Sequence, residues 1–405
     1  MKKLVVILVA VCILFAGVVG YISYTNRPAD VEPEAEPEAA PETSQALDAE
    51  ESGTEVQTLS VDYDAMRASH EPDEIVAACN GRDVRWDEYF YWASYNAAQV
   101  ENYINTMATY GLSVSWDDPW SQDSAETYAE FVTANAEEQI KQVNSVEDFA
   151  AENNVVLSDE ILAEMDEQLK STIASVCGED ATEEDFNEYL DQAYLTRELY
   201  DRMNRMNYLY QQGYTQLYGE TGELVDDAAA IAYLEDNDYI SANHILLMTV
   251  DSATGEALDE ETVAAQEQKA KEIAEELQAI EDPQLLLARF AELKEEYCED
   301  TGKVTYPDGY TFTPGTMVTA FEDACNALED YQVSDPVLTS YGYHVIIRLP
   351  LDPDRVVEYS YEGTPLTARS LAANAEYASR MDAQYEKASF EYVPGFSFNI
   401  KDYLK

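Results

Sequence analysis

Two of the chain's three histidines sit in short apolar runs, His244 in Ala242-Asn243-His244-Ile245-Leu246 and His344 in Tyr341-Gly342-Tyr343-His344-Val345-Ile346. An imidazole changes charge near neutral pH, gives or takes hydrogen bonds and ligates metals, so a pair of them is the most versatile chemistry this sequence offers. Both runs read as strands, and strands far apart in a domain sequence can be sheet neighbours, which would place the two rings side by side. Taken singly, each histidine is more readily a satisfied core residue than a catalyst. Zinc held by both histidines with a cysteine or Asp300 is the weakest reading. Five cysteines (Cys12, Cys79, Cys177, Cys298, Cys325) form no Cys-x-x-Cys pair, so neither a zinc ribbon nor a disulfide framework is legible. No metal or cofactor is expected.

The elements that must position the histidines follow from hydrophobic spacing. Ser241–Val250 is short, apolar and β-branched enough for a strand. Glu260–Ile280 carries Val263, Ala270, Ile273, Ala274, Leu277 and Ile280 at helical spacing. Asp282-Pro283 supplies a cap and a first-turn proline for a helix bearing Leu286, Phe290, Leu293 and Tyr297. A Gly, Pro, Asp and Tyr-rich loop leads to a helix over Met317–Leu328, with Phe321, Ala324, Cys325 and Leu328 on one face, and Tyr343–Leu349 closes the unit as a strand. That order describes one compact α/β or α+β domain.

Before it, Ile75–Cys79, Asn80-Gly81 and Val84 read as a hairpin with a type I′ turn. Asp87 can cap a helix with Tyr89, Phe90, Trp92 and Ala93; a second helix spans about Ser124–Asn153, and Thr182 with Asp185 forms a capping-box pattern. The region to about Val225 is thus helical, aromatic-rich and without catalytic groups. A helix over Thr367 to about Lys387, with Leu371, Ala375, Ala378, Met381 and Tyr385 on one face, is too short to stand alone and is expected to pack on that region.

Composition bounds the partners. The chain has 405 residues, 46% of them apolar, and 23 basic against 81 acidic residues give a net charge of −58. Such a charge repels nucleic acid and anionic membrane surfaces. Leu4 to Ile22 runs without a charge and as a helix would reach roughly 28 Å, enough to span a bilayer. Lys2 and Lys3 before it and acidic sequence after it place the N-terminus in the cytoplasm and the remainder outside; a cleaved signal sequence is the alternative. Ala29–Val56, with ten acidic and no basic or aromatic residues, reads as a disordered, self-repelling tether. His70, beside Glu71-Pro72, falls in the apparent linker that runs on to 72, with no specific role expected.

Four blocks in register make the run from Ser241 to Leu349 similar to the parvulin-type peptidyl-prolyl cis/trans isomerases. The family's Ala-x-His-Ile-Leu is Ala242 to Leu246, and its Phe-x-x-Leu-x-x-x-Tyr-Ser-x-Asp is Phe290, Leu293, Tyr297, Cys298 and Asp300. Its Gly-x-Met-Val-x-x-Phe-Glu-x-Ala is Gly315, Met317, Val318, Phe321, Glu322 and Ala324. Its Ser-x-Pro-Val-x-Thr-x-x-Gly-Tyr-His-Ile-Ile is Ser334, Pro336, Val337, Thr339, Gly342, Tyr343, His344, Val345 and Ile346. The family's Gly-Gly-Asp-Leu-Gly loop is here Tyr306-Pro307-Asp308-Gly309-Tyr310, so the leucine of the proline pocket has no direct counterpart and Tyr310 or Phe312 would fill its space.

The resemblance implies an α+β fold with an antiparallel sheet of about four strands and surrounding helices. It further resembles extracytoplasmic foldases of the PrsA and SurA type, in which this domain is inserted in a mainly α-helical chaperone domain behind an N-terminal transmembrane helix. The implied boundaries are 1–25 for the anchor or signal, 26–72 for the linker, 73–237 and 351–405 for the chaperone domain, and 238–350 for the isomerase. The implied site has His244 and His344 as a hydrogen-bonded pair with Thr339, Asp300 facing the substrate carbonyl, and Met317, Phe321, Tyr310, Phe312 and Tyr341 contacting substrate. Asp300 is either raised in pKa or acts as a charge. The implied function is non-covalent isomerisation of X-Pro bonds in unfolded or partly folded exported polypeptides, the alternative being a holdase that binds such chains without catalysis. Nothing in the sequence decides between a monomer and a homodimer.

Overall fold

The structure, a computed structural model, describes residues 60–121, 124–361 and 363–405. The expected anchor and most of the acidic tether lie outside these residues; among the described ones no helix is long and apolar enough to cross a membrane. The chain divides into two compact units. One comprises the residues up to Gly213 together with Ala378–Lys405, and the other is Tyr214–Tyr377.

In the first unit the folded chain starts earlier than the expected boundary at 72. A helical turn, α1 (Tyr63–Arg67), buries Met66 completely, and Val61 bridges to Leu404. His70, expected to be idle in a linker, packs on Trp86 and Phe396 with ring centroids 4.7 and 5.4 Å away. The hairpin β1 (Ile75–Cys79) and β2 (Arg82–Arg85) turns at Asn80 and Gly81, both at positive φ as a type I′ turn requires. Helix α2 (Trp86–Thr109) follows directly; Arg85, not Asp87, is its N-cap, and Asp87 lies in the first turn, accepting from the Glu88 amide and the Arg85 guanidinium. Helix α3 (Tyr128–Glu152) opens on the Thr127/Glu130 capping box. After α4 (Asp159–Cys177), α5 (Glu183–Asp191) opens on Thr182 and Asp185 as the spacing predicts. The unit continues into α6 (Arg197–Tyr218).

Arg202 of α6 ties this unit together, bonding the buried Glu88 at 2.7 Å and Glu147 at 2.9 Å. The C-terminal chain returns to the same unit: Arg380 donates to Asn153 Oδ1 at 2.6 Å, and a late strand, Phe390–Tyr392, adds antiparallel to β1.

The second unit holds α7 (Asp227–Asp236), β3 (Ile240–Met248), α8 (Glu260–Gln278), α9 (Pro283–Tyr297), β4 (Tyr310–Phe312), α10 (Thr319–Ala327), β5 (Val337–Leu338), β6 (Gly342–Leu349) and the hairpin β7 (Val356–Tyr359) and β8 (Pro365–Thr367). Helix α11 (Ala368–Glu386) then leads to β9, the Phe390–Tyr392 strand. The fold is a mixture of helix and strand, and the four-stranded antiparallel sheet has the order β4-β3-β6-β5. Strands β4 and β5, in stretches the sequence reading treats as loop, are three and two residues long, below what periodicity can resolve. The sheet is covered on both faces: Ile245, Leu247, Val345, Ile347 and Leu349 pack on α8 and α9, while Ala242, Phe312 and Ile346 meet Phe321 and Cys325 of α10.

The β3–β6 ladder is long and closes at Gly342, opposite Met248. Gly342 has φ +152, and a Cβ there would run into the Leu247 carbonyl oxygen. Gly342→Ala is therefore expected to lower stability by about 2 kcal/mol or more. Gly255→Ala, at φ +71 with open space around it, costs only the left-handed backbone, about 1 kcal/mol. Urea denaturation of both variants checks the contrast; equal midpoints would show that the ladder end tolerates a side chain.

Candidate active site

In the β3–β6 register His244 lies opposite Ile346 and His344 opposite Leu246. The two histidines are thus diagonal neighbours, and the two-residue period turns both to the face covered by α10. Their rings meet edge to face with centroids 5.0 Å apart, not through the hydrogen bond expected of them. Phe321 touches both, at 5.2 Å from His244 and 5.4 Å from His344. His344 Nε2 instead shares a 2.9 Å hydrogen bond with Thr339 Oγ1, which also accepts from the Tyr341 amide at 3.1 Å. Both imidazoles are buried, and among the described residues neither nitrogen of His244 nor Nδ1 of His344 has an aligned hydrogen-bond partner.

Asp300 enters from the end of α9, where it caps a 3-10 turn, Thr301–Val304. Its Oδ1 accepts from the Gly302 amide at 2.9 Å, its Oδ2 accepts from the Tyr310 hydroxyl at 2.7 Å, and Oδ2 stands 3.2 Å from His244 Nε2. His244 beside it, then Tyr310 and the Gly302 amide, hold this carboxyl well below the usual carboxylate range against the effect of burial. Of the two states left open by the sequence, the ionised one is therefore present at neutral pH. His344 is driven the other way: burial first, then the neighbouring His244, lower it to about 3, and Asp300 opposes only in part. Burial and Asp300 push the Tyr310 hydroxyl up, so it stays protonated and donates.

The apolar side of the site is Phe321, Phe312 and the half-buried Met317, all in one cluster with Ala242 and Ile346. Tyr310 lies parallel to His244, centroids 5.7 Å apart at 5°, and Tyr306 packs on Tyr310 at 5.1 Å. Tyr341, with half its surface exposed, sits on the rim, and its amide donates to Thr339 Oγ1. The structure thus brings His244, His344, Thr339, Asp300, Phe321 and Tyr310 together, with Met317 and Phe312 beside them.

The sequence reading missed what fastens the departing loop. Lys294 on α9, almost fully buried, donates to Asn243 Oδ1 at 2.8 Å and to the Pro307 carbonyl at 2.9 Å. Lys294 stands four residues after Phe290, on the face α9 buries, and a cation on that face was the available signal. Gly309, at φ +99, passes so close to the Ala242 carbonyl that a Cβ would stand 2.6 Å from it. The cysteines take no part: Cys298 and Cys325 are unpaired and belong to the clusters on opposite faces of the sheet.

The low pKa of His344 fixes a pH dependence. Its folded value lies below the ordinary 6.5, so the stability it contributes is present in full above that pH and is lost as the pH falls towards about 3. Between pH 6.5 and 4 the wild type is expected to lose more stability than His344→Gln, by up to ~1.36 kcal/mol per pH unit. Urea midpoints read this, with imidazole ¹⁵N shifts showing His344 neutral at pH 5; a ring already protonated there would overturn it.

Residues 244–349 match the rotamase family, described as the PPIC-type PPIASE domain. Over 223 residues the chain is 29% identical to the foldase protein PrsA of Oceanobacillus iheyensis, covering 55% of this chain and 62% of that relative. It is 46% identical over 81 residues to foldase protein PrsA 4 of Bacillus cereus, covering 20% of this chain and 26% of the relative. The chain therefore spans less than two thirds of the length of these relatives. Among solved structures, a crystal structure of peptidylprolyl isomerase PrsA from Bacillus cereus covers 67% of this chain and 87% of its own at 23% identity and a TM-score of 0.22.

Proposed function

We propose that this chain, whose residues 244–349 form a PPIC-type peptidyl-prolyl isomerase domain, speeds rotation about X-Pro bonds in exported polypeptides and holds those polypeptides through its helical unit. The observation that carries the reading is Phe321, which lies within 5.4 Å of both buried imidazoles and forms one apolar cluster with Phe312 and Met317. A proline ring seated there would leave its amide over the polar floor of His244, His344, Thr339 and Asp300, with Tyr310 and Tyr341 flanking the chain.

Rotation needs no covalent step. The barrier of ~18–20 kcal/mol is the resonance of the planar amide, which the twisted geometry loses. The planar amide is the more dipolar state, with negative charge on oxygen, so a dry apolar pocket withholds from it the water that stabilises it. The ionised Asp300 acts in the same direction. A fixed anion facing the carbonyl oxygen repels the planar amide more than the twisted one, because twisting draws charge back from oxygen. Neutral His344, held by Thr339, adds no cation that would cancel this field.

The PrsA-named relatives support a foldase role. Anchoring through Leu4–Ile22, with the folded units outside the membrane, is part of the proposal and rests on charge and apolar length. The domain limits near 238 and 350 belong to it as well, as does the assignment of holding to the discontinuous helical unit.

The test is exchange NMR on short X-Pro peptides with the purified chain. Acceleration is expected, and Phe321→Ala is expected to lower kcat/KM roughly 10- to 100-fold, corresponding to ~1.4–2.7 kcal/mol of transition-state stabilisation. No acceleration by folded protein that still suppresses aggregation of an unfolded client would sink the catalytic reading and leave the holdase.

A further inference from the structure

An apolar ring from β4 would suffice to wall a proline pocket, yet this chain brings in a tyrosine, and a half-buried hydroxyl is costly unless it has a partner. The partner is Asp300, whose Oδ2 accepts from Tyr310 at 2.7 Å. A second observation shows that the backbone is built around that contact. Gly302 in the turn below Asp300 has no side chain, and a Cβ there would overlap the Tyr310 hydroxyl. The ring itself is held separately, parallel to His244 at 5.7 Å and packed by Tyr306 at 5.1 Å. Removing the hydroxyl therefore leaves the ring its own supports.

The groups facing Asp300 come from every neighbouring element. From β3 comes His244, 3.2 Å away and the sole cation-capable ion-pair partner among the described residues. From the turn comes the Gly302 amide, and from β6 His344, whose ring meets His244. The two nearby lysines are committed elsewhere, Lys303 to the Cys298 carbonyl at 2.7 Å and Lys294 to the loop and Asn243. A half-buried carboxylate with no lysine or arginine paired to it depends on its neutral donors, and Tyr310 is the one side-chain hydroxyl among them.

We propose that Tyr310 is a positioning residue that holds the Asp300 carboxylate turned towards His244, so that the site presents a fixed anion to the substrate amide. This rests on the isomerase reading for its catalytic consequence, but the hold on Asp300 is a property of the folded chain and can be read without turnover. The loop that leads into β4 thereby gains a role, since its Tyr310 supplies both a ring against His244 and a donor to Asp300.

Two variants test it in the full chain. Tyr310→Phe keeps the ring and deletes the donor; Gly302→Ala displaces the hydroxyl but sets its Cβ 3.2–3.3 Å from the Asp300 oxygens as well, so Tyr310→Phe is the deciding variant. With ¹³C-labelled Asp side chains, and the Asp300 resonance assigned by its loss in Asp300→Asn, the carboxyl of the wild type is expected to titrate below the ordinary carboxylate range. Both variants are expected to move its midpoint up by about one pH unit, a tenfold change in the ionisation equilibrium. In both, kcat/KM at neutral pH is expected to fall about tenfold through kcat, with KM and the melting temperature of Tyr310→Phe little changed. An Asp300 midpoint identical in wild type and Tyr310→Phe would overturn the proposal, as would a shifted midpoint with unaltered kcat. If the wild type shows no isomerisation while the midpoint still rises in both variants, the hold of Tyr310 on Asp300 stands and the isomerase reading falls.

Discussion

The pairing of β3 with β6 in one register governs the rest of this site. With His244 opposite Ile346 and Leu246 opposite His344, both imidazoles fall on the face of α10. A slip of one residue would send them into the core of α8 and α9 and turn Ile245 and Val345 towards the pocket. Two segments about a hundred residues apart must find this register, and local devices help fix it. The Ser334 hydroxyl oxygen accepts from the Ile346 amide at 2.9 Å, Val333 bridges to Ile347, and Gly342 allows the close approach of the Leu247 carbonyl. Each of these contacts constrains where His344 can lie.

Once the two rings are buried together, their charge states follow. A protonated imidazole among Phe321, Ile346 and another imidazole would be a poorly solvated cation, so His344 stays neutral. Asp300 escapes the same logic because it sits at the rim of the cluster, where a turn amide, a hydroxyl and an imidazole converge on its two oxygens. The site is thus an anion and a neutral ring held within one apolar frame. That separation is available only because the sheet positions the histidines and the α9 terminus positions the carboxylate.

Much of this was legible. The Asn80-Gly81 hairpin, the capping box of Thr182 and Asp185, the Asp282-Pro283 helix start and the strand at each histidine are local signals, and each forms where it is read. The near neighbourhood of His244 and His344 followed from strand order and resemblance. What the sequence hid is tertiary. Whether two imidazoles share a proton or meet edge to face depends on ring torsions that no spacing encodes. The folding of Val61 and His70 into the first unit is decided by Leu404, Trp86 and Phe396, which lie further along the chain. Beside Glu71-Pro72 they read as linker because local composition was the only information at that point.

The loop Tyr306–Tyr310 is held in place through its backbone. A backbone at φ +99 passing against the Ala242 carbonyl requires glycine, and Gly309 occupies that position. Pro307 offers a carbonyl and no amide, and that carbonyl is taken by the buried ammonium of Lys294, which also holds Asn243 beside His244. The loop is therefore clamped to the strand that carries the first histidine, and β4 leaves it in register with β3, Tyr310 opposite Ala242. A loop without a structural role would not enlist a buried cation, whose desolvation must be offset by well-placed acceptors. At its end β4 brings in an aromatic ring with a donor, Tyr310, against His244 and Asp300.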